Sequence, residues 1–147
     1  MADRRCLVPD VVSGQRIVTM KSTDIARAAA RAMARDKVSS VLAVDDAEGL
    51  CGIFTVRDVA RRVVVGGLDP DETRLEQVMT RDPKCVSASE SPHTALRLMQ
   101  DCRFRHLPVT EDGTPGGKLV GVVSRRNFFP EEETLLKFED HLWEQMR

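Results

Sequence analysis

Three things are scarce in this chain of 147 residues, and each scarcity removes a class of function. Excess charge is the first. Its 22 basic and 23 acidic side chains leave a net charge of −1. A dedicated nucleic-acid binder normally carries a basic surplus, so no nucleic-acid partner is expected. Long apolar runs are the second. None approaches the roughly 20 residues of a membrane span, and Met1 to Asp10 lacks the apolar stretch of a secretion signal. A cytoplasmic protein that does not enter a membrane is the expectation. Clustered metal or redox ligands are the third. Cys6, Cys51, Cys85 and Cys102 form no CxxC pair, and His93, His106 and His141 are scattered. Reduced cysteines in or near a core fit this spacing better than a metal site. Lys84 beside Cys85 could lower that thiol's pKa, yet a lone cysteine near a base is usually structural. His106 has no neighbouring nucleophile in the sequence, so no catalytic residue is assigned and no enzymatic activity is expected.

What is present is an ordinary apolar content of 41%, enough for a core, arranged as an internal repeat. Repeats decide architecture, so they come first. Ala28 to Asp46 aligns with Thr94 to Asp112 at an offset of 66, which brings Arg31 onto Arg97, Met33 onto Met99 and Val41 onto Leu107. After a loop three residues longer in the second copy the offset becomes 69, and Leu50, Gly52, Thr55 and Arg57 meet Leu119, Gly121, Ser124 and Arg126.

Each copy predicts β-α-β-β-α. A short extended piece (Ile17 to Met20, or Cys85 to Ser87) precedes a cap. Ser22, Thr23 and Asp24 offer side-chain oxygens to the first helical amides. Ser89 and Ser91, with Pro92 in the first turn, do the same in the second copy. Ala26, Ala29, Ala30 and Met33, and then Ala95, Leu98, Met99 and Cys102, recur at helical spacing. Two apolar strands follow, Val41 to Val44 with Leu50 to Thr55, and Leu107 to Val109 with Leu119 to Ser124. Acidic or Gly-rich turns separate them. A last helix starts near Arg57 or Arg126. The organisation expected is an N-terminal segment at 1–14, a first motif at 15–68, a connector and second motif at 69–129, and a C-terminal helix at 130–147. In that tail Leu135, Phe138, Leu142 and Met146 share a stripe with Trp143 beside it. Glu131 to Glu133 suit its N-terminus.

The junction from Gly52 to Val59 carries the most information about chemistry. A strand ends at Thr55 and a helix begins, so backbone N–H groups at that helix start favour an anionic or polar ligand. Thr55 and Asp58 are three apart and share one face of the first turn. The same pair is also a capping box, which needs no ligand. Its recurrence as Ser124-Arg125-Arg126-Asn127 after a second Gly-led apolar strand adds weight to the ligand reading.

This repeated Gly-apolar-apolar-Thr/Ser-x-x-Asp pattern resembles the CBS motif, named for cystathionine β-synthase. Phe104 to Val109 resembles the family's second strand, and Val78-Met79-Thr80 resembles the lead-in to a motif. The likeness covers about Val11 to Phe129, nearly the whole chain, and with no catalytic or transport domain attached it is similar to a stand-alone pair. It implies an α/β (α+β) fold in which two units pack sheet against sheet about a pseudo-two-fold axis, leaving two clefts. It implies a non-catalytic regulatory module for an adenosine nucleotide. AMP is the leading ligand, with ADP, ATP, NAD and S-adenosylmethionine as alternatives, and no cofactor is required. A homodimer is implied too, helped by small helix residues (Ala26, Ala28, Ala29, Ala30 and Ala60) and an apolar tail. A regulated partner protein is expected in some settings. The competing reading is an interaction subunit that docks an enzyme or transporter without nucleotide control.

By the same resemblance, the first cleft combines Thr55 and Asp58 with Lys84, Cys85, Val86, Arg105 and His106. The acid grips the ribose hydroxyls, the strand start contacts adenine, and the cations meet phosphate. The second combines Ser124 and Asn127 with Val18, Thr19, Met20, Ser39 and Ser40. Asn127 replaces the usual acid and accepts without charge. Ser39 and Ser40 stand where the other copy has Arg105 and His106. The second cleft is therefore expected to be the weaker, unless Arg125 or Arg126 reaches across to it.

Overall fold

The structure, a computed structural model, describes residues 5–128 and Gln145. The tail stripe of Leu135, Phe138, Leu142, Trp143 and Met146 lies outside the described residues.

The first copy runs β1 (Thr19–Lys21), α1 (Ala26–Asp36), β2 (Ser40–Val44), β3 (Leu50–Thr55) and α2 (Val56–Asp58), which widens into a π-helical turn at Val59–Val64. A connector helix α3 (Leu75–Val78) and strand β4 (Thr80–Arg81) follow. The second copy runs β5 (Val86–Ser87), α4 (Pro92–Cys102), β6 (His106–Thr110), β7 (Leu119–Ser124) and α5 (Arg125–Phe128). The expected β-α-β-β-α order is present twice. In each copy the first strand lies parallel to the second and the third antiparallel to it. Even the irregularities repeat. The register shifts between Ala43 and Val44 in one copy and between Val109 and Thr110 in the other, again 66 residues apart.

Helical spacing buries Ala26, Ala29 and Met33 on α1 and Ala95 and Met99 on α4, whereas Ala30 and Leu98 are half-buried and Cys102, expected on the buried face and in or near a core, is exposed at the helix end. That burial removes Ala26 and Ala29 from any subunit seam, because they already pack against Val41, Phe54 and Leu75 in the first core. Both helices close on a left-handed residue, Lys37 (φ 54°) and Arg103 (φ 57°). The next amide then turns back to Met33 or Met99, as C-terminal caps of this kind do.

Capping differs between the copies. Ser91 accepts from the Thr94 amide at 3.1 Å, as expected. Ser22, Thr23 and Asp24 do not cap α1. Asp24 instead accepts from the Lys21 amide, and the connector caps the helix from outside. Its Thr73 carbonyl receives the Ala26 amide at 2.8 Å and its Pro70 carbonyl receives Arg27 at 3.1 Å. A carbonyl satisfies a free helical N–H as well as a side-chain oxygen does, so tertiary contact replaces local chemistry.

The connector and the N-terminal segment each complete a half. β4 adds an antiparallel edge to β3 through Gly52 and Ile53. A Cβ at Gly52 would run into the Met79 side chain, so a larger residue there would oblige that flexible side chain to move. The N-terminal segment belongs with the second copy rather than standing apart. Leu7 is fully buried and packs with Leu107, Val109 and Val123. Leu7 and Val8 donate to the Glu90 and Ala88 carbonyls. Beside β7 the Gln15 amide donates to the Val122 carbonyl and accepts from its N–H, both at 2.8 Å. That side chain performs for Val122 what the β4 backbone performs for Ile53.

The halves meet through Leu42, Leu50, Ile53 and Val122, with Ile17, Cys85 and Leu119 around them. This apolar contact sets the strand-to-helix junctions of both copies toward one seam.

Candidate functional site

An open cleft of about 950 Å³ lies along that seam. Thr55, Asp58, Lys84, Arg105 and His106 all line it, so five of the seven residues assigned to the first cleft are brought together. Cys85 and Val86 are not. The Cys85 thiol donates to the Gly113 carbonyl at 3.2 Å, and Val86 is buried in the second core. The strand enters the cleft earlier, at Pro83 and Lys84. Burial, then the nearby Asp112, pushes the Cys85 thiol up from its ordinary pKa, so Lys84 does not activate it.

At the junction, Asp58 Oδ2 accepts from the Thr55 amide at 2.9 Å and from the Thr55 hydroxyl at 3.2 Å. The Thr55 hydroxyl in turn accepts from the Asp58 amide at 3.4 Å. Both halves of a capping box are therefore present. Asp58 Oδ1 lies 3.4 Å from Arg62 Nε, and its side chain is 13% exposed. The Val56 amide donates to the Ser39 carbonyl. The expected outward fan of amides is thus largely used up within the protein. What remains for a ligand is the carboxylate itself, because an ionised Asp offers about four acceptor positions.

The remaining lining is strongly polarised. Ile53, Val56, Pro83 and Phe104 give apolar walls. Arg57, Lys84, Arg103, Arg105, Arg125 and Arg126 supply six basic groups against the single acid Asp58. Of these, Arg57, Lys84, Arg103, Arg105 and Arg126 make no side-chain hydrogen bond or ion pair among the described residues. A chain of net charge −1 therefore carries one concentrated positive cleft. Exposed cations converging on a cleft focus the potential there.

A second, smaller cleft of about 210 Å³ adjoins the first. It gathers Val18, Ser39, Ser40, Ser124 and Asn127 from the expected set. Thr19 is exposed outside it, and Met20 packs on the first core. Its strand entry is Ile17 and Val18, the repeat counterparts of Pro83 and Lys84. Ser124 and Asn127 reproduce the junction, with Asn127 Oδ1 accepting from the Ser124 amide at 2.7 Å and hydroxyl at 3.1 Å. The second cleft does not lack cations, contrary to the expectation from Ser39 and Ser40. Arg16, Lys37 and Arg126 line it. Lys37 and Arg103 are repeat counterparts, each at the left-handed end of its helix. The 66-residue offset, applied to the residues before β2 and β6, was the signal that finds them.

His106 stands between the clefts. Its Nε2 lies 3.0 Å from the Ser39 hydroxyl. Burial, then the charges of Arg105 and Arg126, lower its pKa, and Asp58 opposes them. The imidazole is thereby held neutral near pH 7.

Comparison with known proteins fits this geometry. A family model described as CBS domain matches residues 9–65 and again 75–131. The meiotically up-regulated gene 70 protein of Schizosaccharomyces pombe is 35% identical over 115 residues, covering 74% of this chain. The chain spans only 16% of that protein's length. A solved structure of a protein with CBS domains from Burkholderia ambifaria is 36% identical with a TM-score of 0.69, covering 78% of this chain and 80% of that one. The CBS domain protein PAE2072 from Pyrobaculum aerophilum, solved complexed with AMP, has a TM-score of 0.72 over 88% of this chain and 95% of its own. At 23% identity that likeness shows the fold.

Proposed function

The chain belongs to the CBS-domain family as a tandem pair, and on that premise we propose that it is a non-catalytic regulatory module binding an adenosine nucleotide in its larger cleft. The observation that carries this reading is the pairing of one carboxylate, Asp58, with five uncommitted cations around apolar walls. A carboxylate accepts from a vicinal ribose diol, guanidinium groups meet phosphate bidentately, and Ile53, Pro83 and Phe104 offer a surface for a purine. The same fold accommodates AMP in the Pyrobaculum protein. The charge favours AMP, ADP and ATP over S-adenosylmethionine, whose sulfonium adds a positive charge to a positive cleft.

A regulatory role in a homodimer completes the proposal. Val64 (71% exposed), Val65 (82%) and Leu68 (44%) lie together beyond α2 and suit a partner surface. A monomer by light scattering across micromolar concentrations removes the dimer. Among the described residues no helix is long and apolar enough to cross a membrane, and a cytoplasmic location remains part of this reading.

A thermal-shift panel tests the ligand. AMP, ADP and ATP should raise the melting temperature, because a ligand that binds only the native state stabilises it. Adenosine and S-adenosylmethionine should raise it less. No shift with any nucleotide refutes the module and favours a docking subunit. Chromatographic detection of nucleotide turnover refutes the non-catalytic assignment.

A further inference from the structure

We propose that the two clefts compete for one guanidinium, that of Arg126, so that an anionic ligand seated in the larger cleft weakens anion binding in the smaller. This rests on the nucleotide-binding reading above. The clefts share a wall. Ser39, His106, Ser124 and Arg126 line both. The Ser39–His106 hydrogen bond, 3.0 Å long, joins the strand starts of the two copies and holds the partition in place. Arg126 is different. It is exposed, and it makes no side-chain hydrogen bond or ion pair among the described residues. A long exposed side chain at the head of a wall serves whichever side presents an anion.

The supply of cations makes the competition one-sided. The larger cleft has Arg57, Lys84, Arg103 and Arg105 besides Arg126. In the smaller, Arg16 lies 3.6 Å from Asp36, leaving Lys37 and Arg126 uncommitted. The repeat counterpart of Arg126 is Arg57, which lines the larger cleft alone. Arg126 carries a single positive charge, so a phosphate paired with it in the larger cleft neutralises most of what it can offer an anion in the smaller. Once it faces a phosphate in the larger cleft, the smaller keeps one uncommitted cation, Lys37.

Isothermal titration of the full chain at low salt, with ATP and separately with pyrophosphate, tests this. The first equivalent should bind with the second at least about tenfold weaker or unseen. R126Q should weaken the first step by about threefold or more and leave any second step unchanged, because a second ligand never held Arg126. In an R57Q/K84Q/R103Q/R105Q chain the larger cleft loses all four uncommitted cations that set it above the smaller, the smaller cleft becomes the first to fill, and adding either R126Q or K37Q should weaken that event by a similar factor. Two equal, independent sites overturn the proposal. So does R126Q without effect in the R57Q/K84Q/R103Q/R105Q chain, or R126Q weakening both steps equally in the otherwise unaltered chain. If pyrophosphate behaves as described and ATP does not bind, the nucleotide reading fails while the competition stands. If neither binds, both fail.

Discussion

Replacing Asp58 with asparagine separates what this residue does for the fold from what it does for a ligand. In the fold, its Oδ2 accepts from the Thr55 amide and hydroxyl. An asparagine amide oxygen can take over both bonds, and the molecule already contains the proof. Asn127 accepts from the Ser124 amide at 2.7 Å and hydroxyl at 3.1 Å at the matching place in the second copy. The Arg62 contact at 3.4 Å involves a side chain that is 47% exposed, and such pairs contribute about 1 kcal/mol or less. D58N should therefore melt within a few degrees of the parent. D58A removes the cap as well and should cost about 0.5–2 kcal/mol. For a ribose diol the loss is larger. A hydrogen bond to a charged acceptor contributes about 1.5–3 kcal/mol and a neutral one roughly half that, so losing the charge should raise the AMP dissociation constant about threefold to tenfold for each ribose bond. Isothermal titration and thermal unfolding on D58N, D58A and the parent give both quantities. Unchanged affinity in D58N refutes the assignment of Asp58 to the sugar. A large loss of stability in D58N refutes the equivalence of the two junctions.

R105A should lower affinity for AMP by about threefold to tenfold while changing adenosine affinity little, since its contact is with phosphate; equal losses for both ligands contradict that. His106 gives a pH signature. Its folded pKa lies below the unfolded value near 6.5, so the stability it contributes is complete above that value and is lost as pH falls through the lower folded value. The melting temperature of the unliganded protein should drop more steeply below about pH 6.5 in the parent than in H106N, and identical slopes would place the imidazole in water. Leu7 is 0% exposed in the second core, so L7A should cost about 2–5 kcal/mol. A neutral result in denaturant unfolding means that the N-terminal segment does not dock.

Periodicity, punctuation and repetition are local properties, and they determined the element order. Leu50–Thr55 and Leu119–Ser124 are strands at the expected residues because a short apolar run that follows a polar turn and ends at a helix start suits one conformation. Self-similarity at 66 and 69 residues made two equivalent junctions legible, along with Thr55, Asp58, Ser124 and Asn127. Other features depend on which surfaces meet, and no local pattern encodes that. Ser22 to Asp24 have the chemistry of a cap, yet Thr73 and Pro70 carbonyls reach the helix first. Residues 1–14 read as a separate N-terminal segment, but Leu7 packs into the core of the distant second half. Cys85 packs against the contact between the halves and Val86 enters the second core, so neither lines the cleft. Arg103 and Lys37 join the clefts because left-handed helix ends bring them to the seam. Arg126 reaches both clefts because the pseudo-two-fold contact of Leu42, Leu50, Ile53 and Val122 sets the two junctions side by side. Side-chain type is written residue by residue, but the neighbours of a cleft are drawn from segments as far apart in the chain as Ser39 and Arg126, and only packing brings them together.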